Sequence, residues 1–350
     1  MSDDYRIAPL HASGLPLVVR PAGDVGVARL TDWLRERPEW VQDRLVGHGA
    51  LLFRGFGVSR GEDFEAIARA IDPKLENEYL GTSPRNAITA SGYVFSASEL
   101  PPYYPIPQHC EMSFTARPPR RVFFCALRPS DGTGGETPLC DFRKVWRDLD
   151  PELVKRFEEG GLRIVRNYSG PSGASRFDLW QLKRWDEMFL TTDRAQVEAK
   201  CAEQGFDAQW VGRDGLRLVS TQPVHRDHPV TGERVWHNHV TTFHGSQAAG
   251  EYARIFRLRP SARTLALWQV ARAMTALARR KPPEERALEC TYLDGREIPD
   301  ADLEQVRDAV WRHMVVEPWQ RGDVVAIDNH STSHGRLPYR GPRTVAVCWA

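Results

Sequence analysis

A histidine and a carboxylate that could bind a metal stand two residues apart, at His109 and Glu111. Successive side chains of a β-strand point to opposite faces, so these two would share a face while Cys110 points away to pack. A second histidine from another strand would complete a 2-His-1-carboxylate triad, which binds one face of a ferrous ion and leaves the other face open. The pair therefore predicts an oxygen-activating iron enzyme, provided that a second histidine is available.

The run DNHSTSHGR, at residues 328–336, offers two candidates for that histidine, His330 and His334. The apolar segment VVAIDN before it predicts a strand that ends near Asn329, after which the polar STS segment turns the chain. His334 then enters beside Gly335, whose missing side chain leaves room for other groups near a metal. His330 stands where the turn begins and is predicted to lie at the surface or behind the ligands. We therefore favour His334.

Thr137 and Arg343 are candidates for binding a 2-oxoacid cosubstrate. Such an acid chelates iron through its keto oxygen and one carboxylate, and its distal carboxylate needs a cation, for which arginine supplies two parallel hydrogen bonds. Arg343 begins the apolar segment TVAVCWA, and the Thr137 hydroxyl could donate to the same carboxylate or belong to an ordinary strand. Arg336 and Arg340 are rivals nearby, and the chain has 41 arginines because only six of its 47 basic residues are lysine.

Two regions rich in short apolar segments, about 108–142 and 314–350, must supply the strands that position these residues. A jelly roll requires such regions to lie side by side, since its first and last strands are neighbours. We therefore predict a single oxygenase domain over 1–350, with an all-β double-stranded β-helix core, N-terminal helices and a mixed helical insertion at about 143–313. The predicted helices are 31–49, 60–72, 150–161, 193–205, 262–280 and 300–314, and further predicted strands are 50–56, 215–221 and 233–243.

Composition excludes several classes of protein. With 41% hydrophobic content in 350 residues the chain can bury a large core, and 47 basic against 46 acidic residues give no field that would attract nucleic acid or an anionic membrane. The six cysteines are scattered without a CxxC pair, which favours small buried residues in a reducing compartment. The N-terminus lacks the pattern of a signal peptide, and no apolar run reaches the ~20 residues of a membrane span. We expect a cytoplasmic protein and leave its oligomeric state open.

The order His-x-Glu, GGETxxxD and DNxxxxHGRxPYxGxR resembles the taurine dioxygenase (TauD/TfdA) family of iron(II)/2-oxoglutarate-dependent oxygenases. The ending HGRLPYRGPR is similar to the branch that contains clavaminate synthase and the syringomycin-type hydroxylases. The resemblance implies that His109, Glu111 and His334 bind Fe(II), that Thr137 and Arg343 bind 2-oxoglutarate, and that dioxygen is the second cosubstrate. Many relatives carry Asp where Glu111 stands, whereas the clavaminate branch also uses Glu. The motifs cover 108–141 and 324–343.

The family resemblance implies hydroxylation of an unactivated C–H bond in a small molecule of a biosynthetic pathway. The branch suggests an amino acid, free or attached to a carrier protein. Desaturation and ring closure begin with the same hydrogen abstraction and stay open, whereas halogenation is disfavoured because Glu111 occupies the position that a halide would need. A zinc-dependent hydrolase is a weaker alternative because HCEM supplies no general base of the HExxH type. A non-catalytic jelly-roll protein would not need the complete set of candidate ligands.

Substrate contacts are harder to predict. The segment VWHNHV is predicted as a strand with Asn238 on one face and both His237 and His239 on the other, where they would contact either a polar substrate or the backbone. Tyr103, Tyr104 and Trp236 could line a pocket, although aromatic residues at such positions more often pack in the core. A second metal site at His225 and His228 is disfavoured.

Overall fold

The computed structural model describes residues 4–81, 85–172 and 184–350. The first elements are β1 (Tyr5–Pro9), β2 (Leu17–Pro21), α1 (Val27–Arg35), α2 (Pro38–His48), β3 (Ala50–Phe53), α3 (Gly61–Ile71), β4 (Phe95–Ser96), β5 (Ile106–His109) and β6 (Arg121–Arg128). The middle contains β7 (Leu139–Asp141), α4 (Phe142–Asp148), α5 (Pro151–Gly160), β8 (Leu162–Tyr168), α6 (Trp185–Phe189), α7 (Arg194–Glu203), β9 (Asp207–Val211), β10 (Gly215–Gln222), β11 (Arg226–Asp227), β12 (Arg234–Val235), α8 (Val240–Phe243), α9 (Gln247–Leu258), α10 (Ala262–Ala278) and a 3-10 turn (Pro283–Glu285). The last elements are β13 (Leu288–Thr291), α11 (Asp300–His313), β14 (Met314–Val315), β15 (Val324–Asp328), β16 (Thr332–Arg336) and β17 (Thr344–Trp349).

Two sheets combine the beginning and the end of the chain. A seven-stranded sheet has the order β1-β2-β3-β15-β6-β17-β4, and a four-stranded sheet has the order β14-β7-β16-β5. In the first, β6 lies between β15 and β17, and in the second, β16 pairs with both β5 and β7. The two predicted β regions therefore pair with each other, as the jelly-roll prediction requires. Strands of the middle region form a separate four-stranded sheet, β13-β8-β10-β9, and the pair β11-β12.

The side chains of β6 show how the seven-stranded sheet is buried on both faces. Val122 and Phe124 belong to one apolar cluster together with Leu139 of the four-stranded sheet. Phe123 and Cys125 point to the other face and belong to a second cluster with helices α1, α2 and α3. This alternation with a period of two residues is what a strand imposes. The metal-binding candidates lie on the side of the first cluster.

Several element boundaries differ from the predictions. The predicted helix over 31–49 is two helices, because Pro38 lacks the N–H that a continuous helix needs at that position and starts α2 instead. The predicted strand over 233–243 is wrong beyond Val235: the backbone turns there and forms α8. The helices predicted over 60–72, 150–161, 193–205, 262–280 and 300–314 are confirmed as α3, α5, α7, α10 and α11.

Two expectations from composition have structural counterparts. All six cysteines are buried and none forms a disulfide, as expected of small packing residues. Within the described ranges, no helix combines the length and apolar character that crossing a bilayer would require.

Candidate metal centre

His109, Glu111 and His334 come together at the junction of β5 and β16. The register of the two strands places His334 directly opposite His109, with ring centroids 4.5 Å apart. Each of the three residues offers one ligand atom, and these atoms lie within 4.8 Å of one another. Glu111 does not lie on the strand as predicted, because β5 ends at His109 and a turn follows. Its carboxylate nevertheless faces the two histidines.

Asn329, which follows β15, positions the backbone of Glu111. Its side-chain Oδ1 accepts a hydrogen bond from the Glu111 N–H at 2.7 Å, and its Nδ2 donates to the Glu111 carbonyl at 3.0 Å. The same Nδ2 donates to the Pro119 carbonyl at 2.7 Å. All these groups are buried, so Asn329 satisfies backbone groups that a turn would otherwise leave unpaired. One amide side chain thus fixes the carboxylate ligand relative to the segment that carries His334.

The Glu111 carboxylate is buried and sits between two nitrogen groups. Arg85 Nη2 donates to Glu111 Oε2 at 2.8 Å, and His334 Nε2 lies 3.5 Å from the same oxygen. Burial alone would raise the pKa of this carboxyl, but Arg85 and His334 outweigh that effect and hold the pKa of Glu111 below its usual range. The group is therefore an anion at neutral pH, as a metal ligand must be.

His109 is held in a form suited to metal binding. Its Nδ1 lies 2.9 Å from the Pro107 carbonyl, so Nδ1–H donates there and Nε2 keeps its lone pair. Burial, with help from nearby His334, lowers the pKa of His109 to about 4. The imidazole is therefore neutral at physiological pH, and two histidines beside one carboxylate match the donor set of ferrous iron.

His330 lies outside this cluster. Its ring centroid is 5.8 Å from that of His228 and 6.4 Å from that of His237. His228 Nε2 in turn lies 2.9 Å from Asp328 Oδ2. The structure thus brings His334, and not His330, to His109 and Glu111.

Thr137 and Arg343 lie side by side on one wall of the cavity that contains the triad. Arg343 Nε donates to the Gly135 carbonyl at 2.8 Å, and its Nη2 lies 3.5 Å from Thr137 Oγ1. Trp319 Nε1 also donates to Thr137 Oγ1, at 3.2 Å, which leaves the hydroxyl hydrogen free to point elsewhere. Burial and the neighbouring Arg336 lower the pKa of Arg343 to about 10, so it remains a cation at neutral pH.

The two rival arginines have other surroundings. Arg336 is buried and donates to the backbone carbonyls of Leu100, Pro101 and Tyr104, so it holds the wall formed by that loop. Arg340 is exposed. Of the three arginines, Arg343 is the one that lies beside Thr137.

The cavity has a volume of about 220 Å³, and about half of its remaining wall residues come from the middle of the chain. The wall residues include Tyr104 and Phe114, then His239 and Phe243 around α8, and Met274 on the inner face of α10. The wall is thus mainly apolar, with polar groups at a few points, which is the usual composition of a small-molecule site.

His239 is the residue of VWHNHV that lines the cavity. Its Nδ1 lies 2.5 Å from Ser113 Oγ, which fixes the ring, and its pKa is held well below the ordinary value mainly by burial and by His109. The prediction that His237 shares its face is wrong, since the strand ends at Val235 and His237 Nε2 instead lies 3.2 Å from the Asn329 carbonyl. Asn238 donates to the Val224 carbonyl at 2.7 Å. Both therefore contact backbone groups, although His237 Nδ1 is buried without a hydrogen-bond partner among the described residues.

The structure also shows where the aromatic candidates and the two histidines of the disfavoured second metal site lie. Tyr104 lines the cavity, whereas Tyr103 is exposed and Trp236 packs in the core. His225 lies 3.4 Å from Glu158, while His228 pairs with Asp328 on another side of the fold. Among the described residues, the histidine–carboxylate cluster that could hold a metal is the one at His109, Glu111 and His334.

Sequence reasoning missed Arg85 and Asn329. One arginine among 41 carries no signal of its own, and Arg85 lies 26 residues from its partner. Asn329 belongs to the DNxxxxHGR motif, so the motif could have indicated a role for it, but not which backbone groups it contacts.

Comparison with known proteins gives a consistent picture. The family model described as Taurine catabolism dioxygenase TauD, TfdA family matches residues 7–349. The chain is 31% identical over 347 residues to the dapdiamide synthesis protein DdaC of Enterobacter agglomerans, covering 99% of this chain and 94% of DdaC. It is 28% identical over 348 residues to a clavaminate synthase-like protein of Arabidopsis thaliana, covering 96% of this chain and 88% of that protein.

Among solved structures, PvcB of Pseudomonas aeruginosa is similar with a TM-score of 0.54 and 14% identity, covering 100% of this chain and 92% of PvcB. A second structure of PvcB is described as that of an Fe, alpha-ketoglutarate dependent oxygenase from an isonitrile synthetic pathway. At this level of identity the likeness shows a shared fold.

Proposed function

The chain belongs to the TauD/TfdA family and is an iron(II)- and 2-oxoglutarate-dependent dioxygenase, and we propose that it hydroxylates an unactivated C–H bond of an amino acid in a biosynthetic pathway. The amino acid would be free or attached to a carrier protein. The observation that carries this proposal is a single cavity bounded by the triad, by Thr137 with Arg343, and by an apolar wall around His239. The names of DdaC and PvcB, which refer to synthetic pathways, support a biosynthetic role.

In this proposal His109, Glu111 and His334 bind the iron. The residues fit the group: the nitrogen and oxygen donors converge within 4.8 Å, His109 is neutral, and the carboxylate is ionised. Three protein ligands leave three positions of an octahedral ion for 2-oxoglutarate and dioxygen. The bound iron supplies the oxidising power that removes a hydrogen atom from the substrate.

Arg343 and Thr137 would bind the distal carboxylate of 2-oxoglutarate. The guanidinium is fixed by the Gly135 carbonyl and faces the cavity, and the Thr137 hydroxyl has a hydrogen to donate because it already accepts from Trp319. A cation and a hydroxyl donor side by side match a carboxylate better than either does alone. We also propose that the paired seven- and four-stranded sheets are the jelly-roll core that holds this arrangement.

The apolar wall would hold the substrate and exclude water. Phe114 and Phe243 pack against the His239 ring at centroid distances of 5.0 and 4.8 Å. With its Nδ1 bound to Ser113, His239 can present Nε2 to a polar group of the substrate. The protein thereby selects which C–H bond faces the metal, which is its main contribution to such chemistry.

The proposal can be tested in two steps. Anaerobic titration of the protein with Fe(II) and 2-oxoglutarate should produce the weak visible charge-transfer band of the chelate. Free amino acids, their pantetheine thioesters and small molecules without an amino-acid unit are then compared by succinate release and by product mass. Hydroxylation adds one oxygen atom and desaturation removes two hydrogens. A panel in which succinate release responds only to compounds without an amino-acid unit would contradict the proposed substrate class. A product lacking two hydrogens would contradict hydroxylation.

A further inference from the structure

Arg85 is a buried cation whose side chain is only 5% exposed. Its guanidinium lies against the rings of Tyr79 and Trp349, with centroid distances of 4.0 and 5.3 Å. Its carboxylate partner is Glu111, the proposed iron ligand, which is 3% exposed. Because a buried guanidinium needs a counter-ion, this pair is an integral part of the metal site and not a surface ion pair.

The contact occupies one particular oxygen. Arg85 Nη2 donates to Glu111 Oε2 at 2.8 Å, and His334 Nε2 approaches the same oxygen at 3.5 Å. The aromatic rings on the guanidinium and the Asn329 clamp on the Glu111 backbone limit the movement of both partners. The oxygen without this contact is the one that Glu111 can offer a metal without competition, since a metal bond to Oε2 would compete with Arg85 for its lone pairs.

The number of Glu111 oxygens that bind the metal matters because an octahedral ion has six coordination positions. Two histidines and one carboxylate oxygen leave three positions, whereas a carboxylate that binds through both oxygens leaves two. 2-Oxoglutarate takes two positions and dioxygen needs another. A carboxylate bound through both oxygens would therefore compete with a cosubstrate.

We propose that Arg85 is a positioning residue that keeps Glu111 bound to the metal through a single oxygen and so preserves the third open position. This inference rests on the proposed ligand role of Glu111. It also has a consequence of definite sign: Arg85 competes with the metal for one oxygen of Glu111, so its removal lets that oxygen bind the metal as well. Removing Arg85 should therefore tighten metal binding while weakening 2-oxoglutarate binding.

The experiment uses Mn(II) as the probe, without turnover. Mn(II) affinity and the number of coordinated waters are measured by electron paramagnetic resonance and water proton relaxation, and 2-oxoglutarate is then titrated into the Mn(II) protein. Arg85→Gln should bind Mn(II) about tenfold or more tightly, because the charge-assisted contact that competes for the second carboxylate oxygen is lost. It should hold one water fewer and bind 2-oxoglutarate more weakly. Arg85→Lys keeps the charge and should behave like the wild type.

Arg166→Gln is the matched control. Arg166 is equally buried and also lies against aromatic rings, those of Phe114 and Phe206 at 4.5 and 4.7 Å, but it has no ion pair with Glu111. Its removal should lower thermal stability without tightening Mn(II) binding.

Three results would overturn the inference. Weaker Mn(II) binding in Arg85→Gln, with a similar change in Arg166→Gln, would show a merely structural role. Unchanged metal, water and 2-oxoglutarate binding in Arg85→Gln would show that Arg85 does not act on Glu111. If Glu111→Gln binds Mn(II) as the wild type does, the assignment of Glu111 as a ligand fails and this inference fails with it. If Glu111→Gln loses Mn(II) binding, the ligand assignment stands and the Arg85 variants test this inference on its own.

Discussion

Replacing Arg343 by Gln should weaken 2-oxoglutarate binding by tenfold to about a hundredfold. Arg343 is buried, remains a cation, and faces the cavity beside Thr137. A hydrogen bond to a charged group contributes about 1.5–3 kcal/mol, and a factor of ten corresponds to about 1.4 kcal/mol. Gln ends two bonds short of the Nη groups, so the loss should come from both the charge and the guanidinium donors. Iron affinity should change little because Arg343 is not among the grouped ligands.

The assay is an anaerobic titration of the Fe(II)-loaded protein with 2-oxoglutarate, followed through the visible band of the chelate. Arg340→Gln is the control, since Arg340 is exposed and three residues away. Arg343→Lys should recover part of the affinity, because it keeps the charge and loses the fork. Thermal unfolding of each variant separates a lost contact from a damaged fold.

Arg336 is the residue that could refute this assignment. Its two Nη groups donate to the carbonyls of Leu100, Pro101 and Tyr104, so Arg336→Gln should loosen that loop and affect the substrate more than 2-oxoglutarate. If Arg336→Gln weakens 2-oxoglutarate binding tenfold or more while Arg343→Gln does not, the anchor has been misassigned.

Three further predictions follow from the geometry. His334→Ala should abolish Fe(II)-dependent succinate release and His330→Ala should retain it, because only His334 lies with the other ligands; the reverse pattern would disprove the choice. Asn329→Ala removes three buried hydrogen bonds and should lower the free energy of unfolding by about 3 kcal/mol, at about 1 kcal/mol each. The loss is measured by urea titration, and a loss under about 1 kcal/mol would contradict the role of Asn329 in fixing Glu111. Burial, with nearby Arg307, lowers the pKa of His244 to about 3. Below pH ~6.5 the unfolded chain therefore binds a proton at His244 that the folded chain does not bind. The free energy of unfolding should fall by up to about 1.4 kcal/mol per pH unit because of this residue. His244→Gln should make the decline of urea stability between pH 6.5 and 5 shallower by one proton, and an unchanged slope would show that His244 already accepts a proton when folded.

The metal half of the site could be predicted because its residues are close in sequence or joined by strand pairing. His-x-Glu and the distance from His334 to Arg343 are local features, and the pairing of β5 with β16 follows once both regions are identified as strands. The reason for the Glu111 orientation was nevertheless wrong. The prediction used strand alternation, whereas the structure uses a turn and a side-chain clamp from Asn329.

The substrate wall and the contacts behind the metal ligands could not be predicted because they depend on tertiary contacts. Strand propensity in VWHNHV predicted a shared face for His237 and His239, but the chain leaves the sheet after Val235 and packs each ring differently. Arg85 gave no pattern, because its role depends on Glu111 and on the rings of Tyr79 and Trp349, which only the fold brings to it. Periodicity in the sequence indicates which face of an element is buried, but it does not identify the residue that the face contacts.

Different parts of the chain supply the proposed iron and 2-oxoglutarate ligands and much of the proposed substrate wall. The proposed iron and 2-oxoglutarate ligands come from the two β regions that pair with each other, whereas His239, Phe243 and Met274 come from the middle of the chain. Changes in the middle can therefore alter the shape of the substrate wall without moving the metal ligands. Phe243→Ala should accordingly leave the binding of Fe(II) and 2-oxoglutarate unchanged while altering which compounds stimulate succinate release. A variant that lost the chelate band but kept its thermal stability would show instead that the wall and the metal centre are coupled.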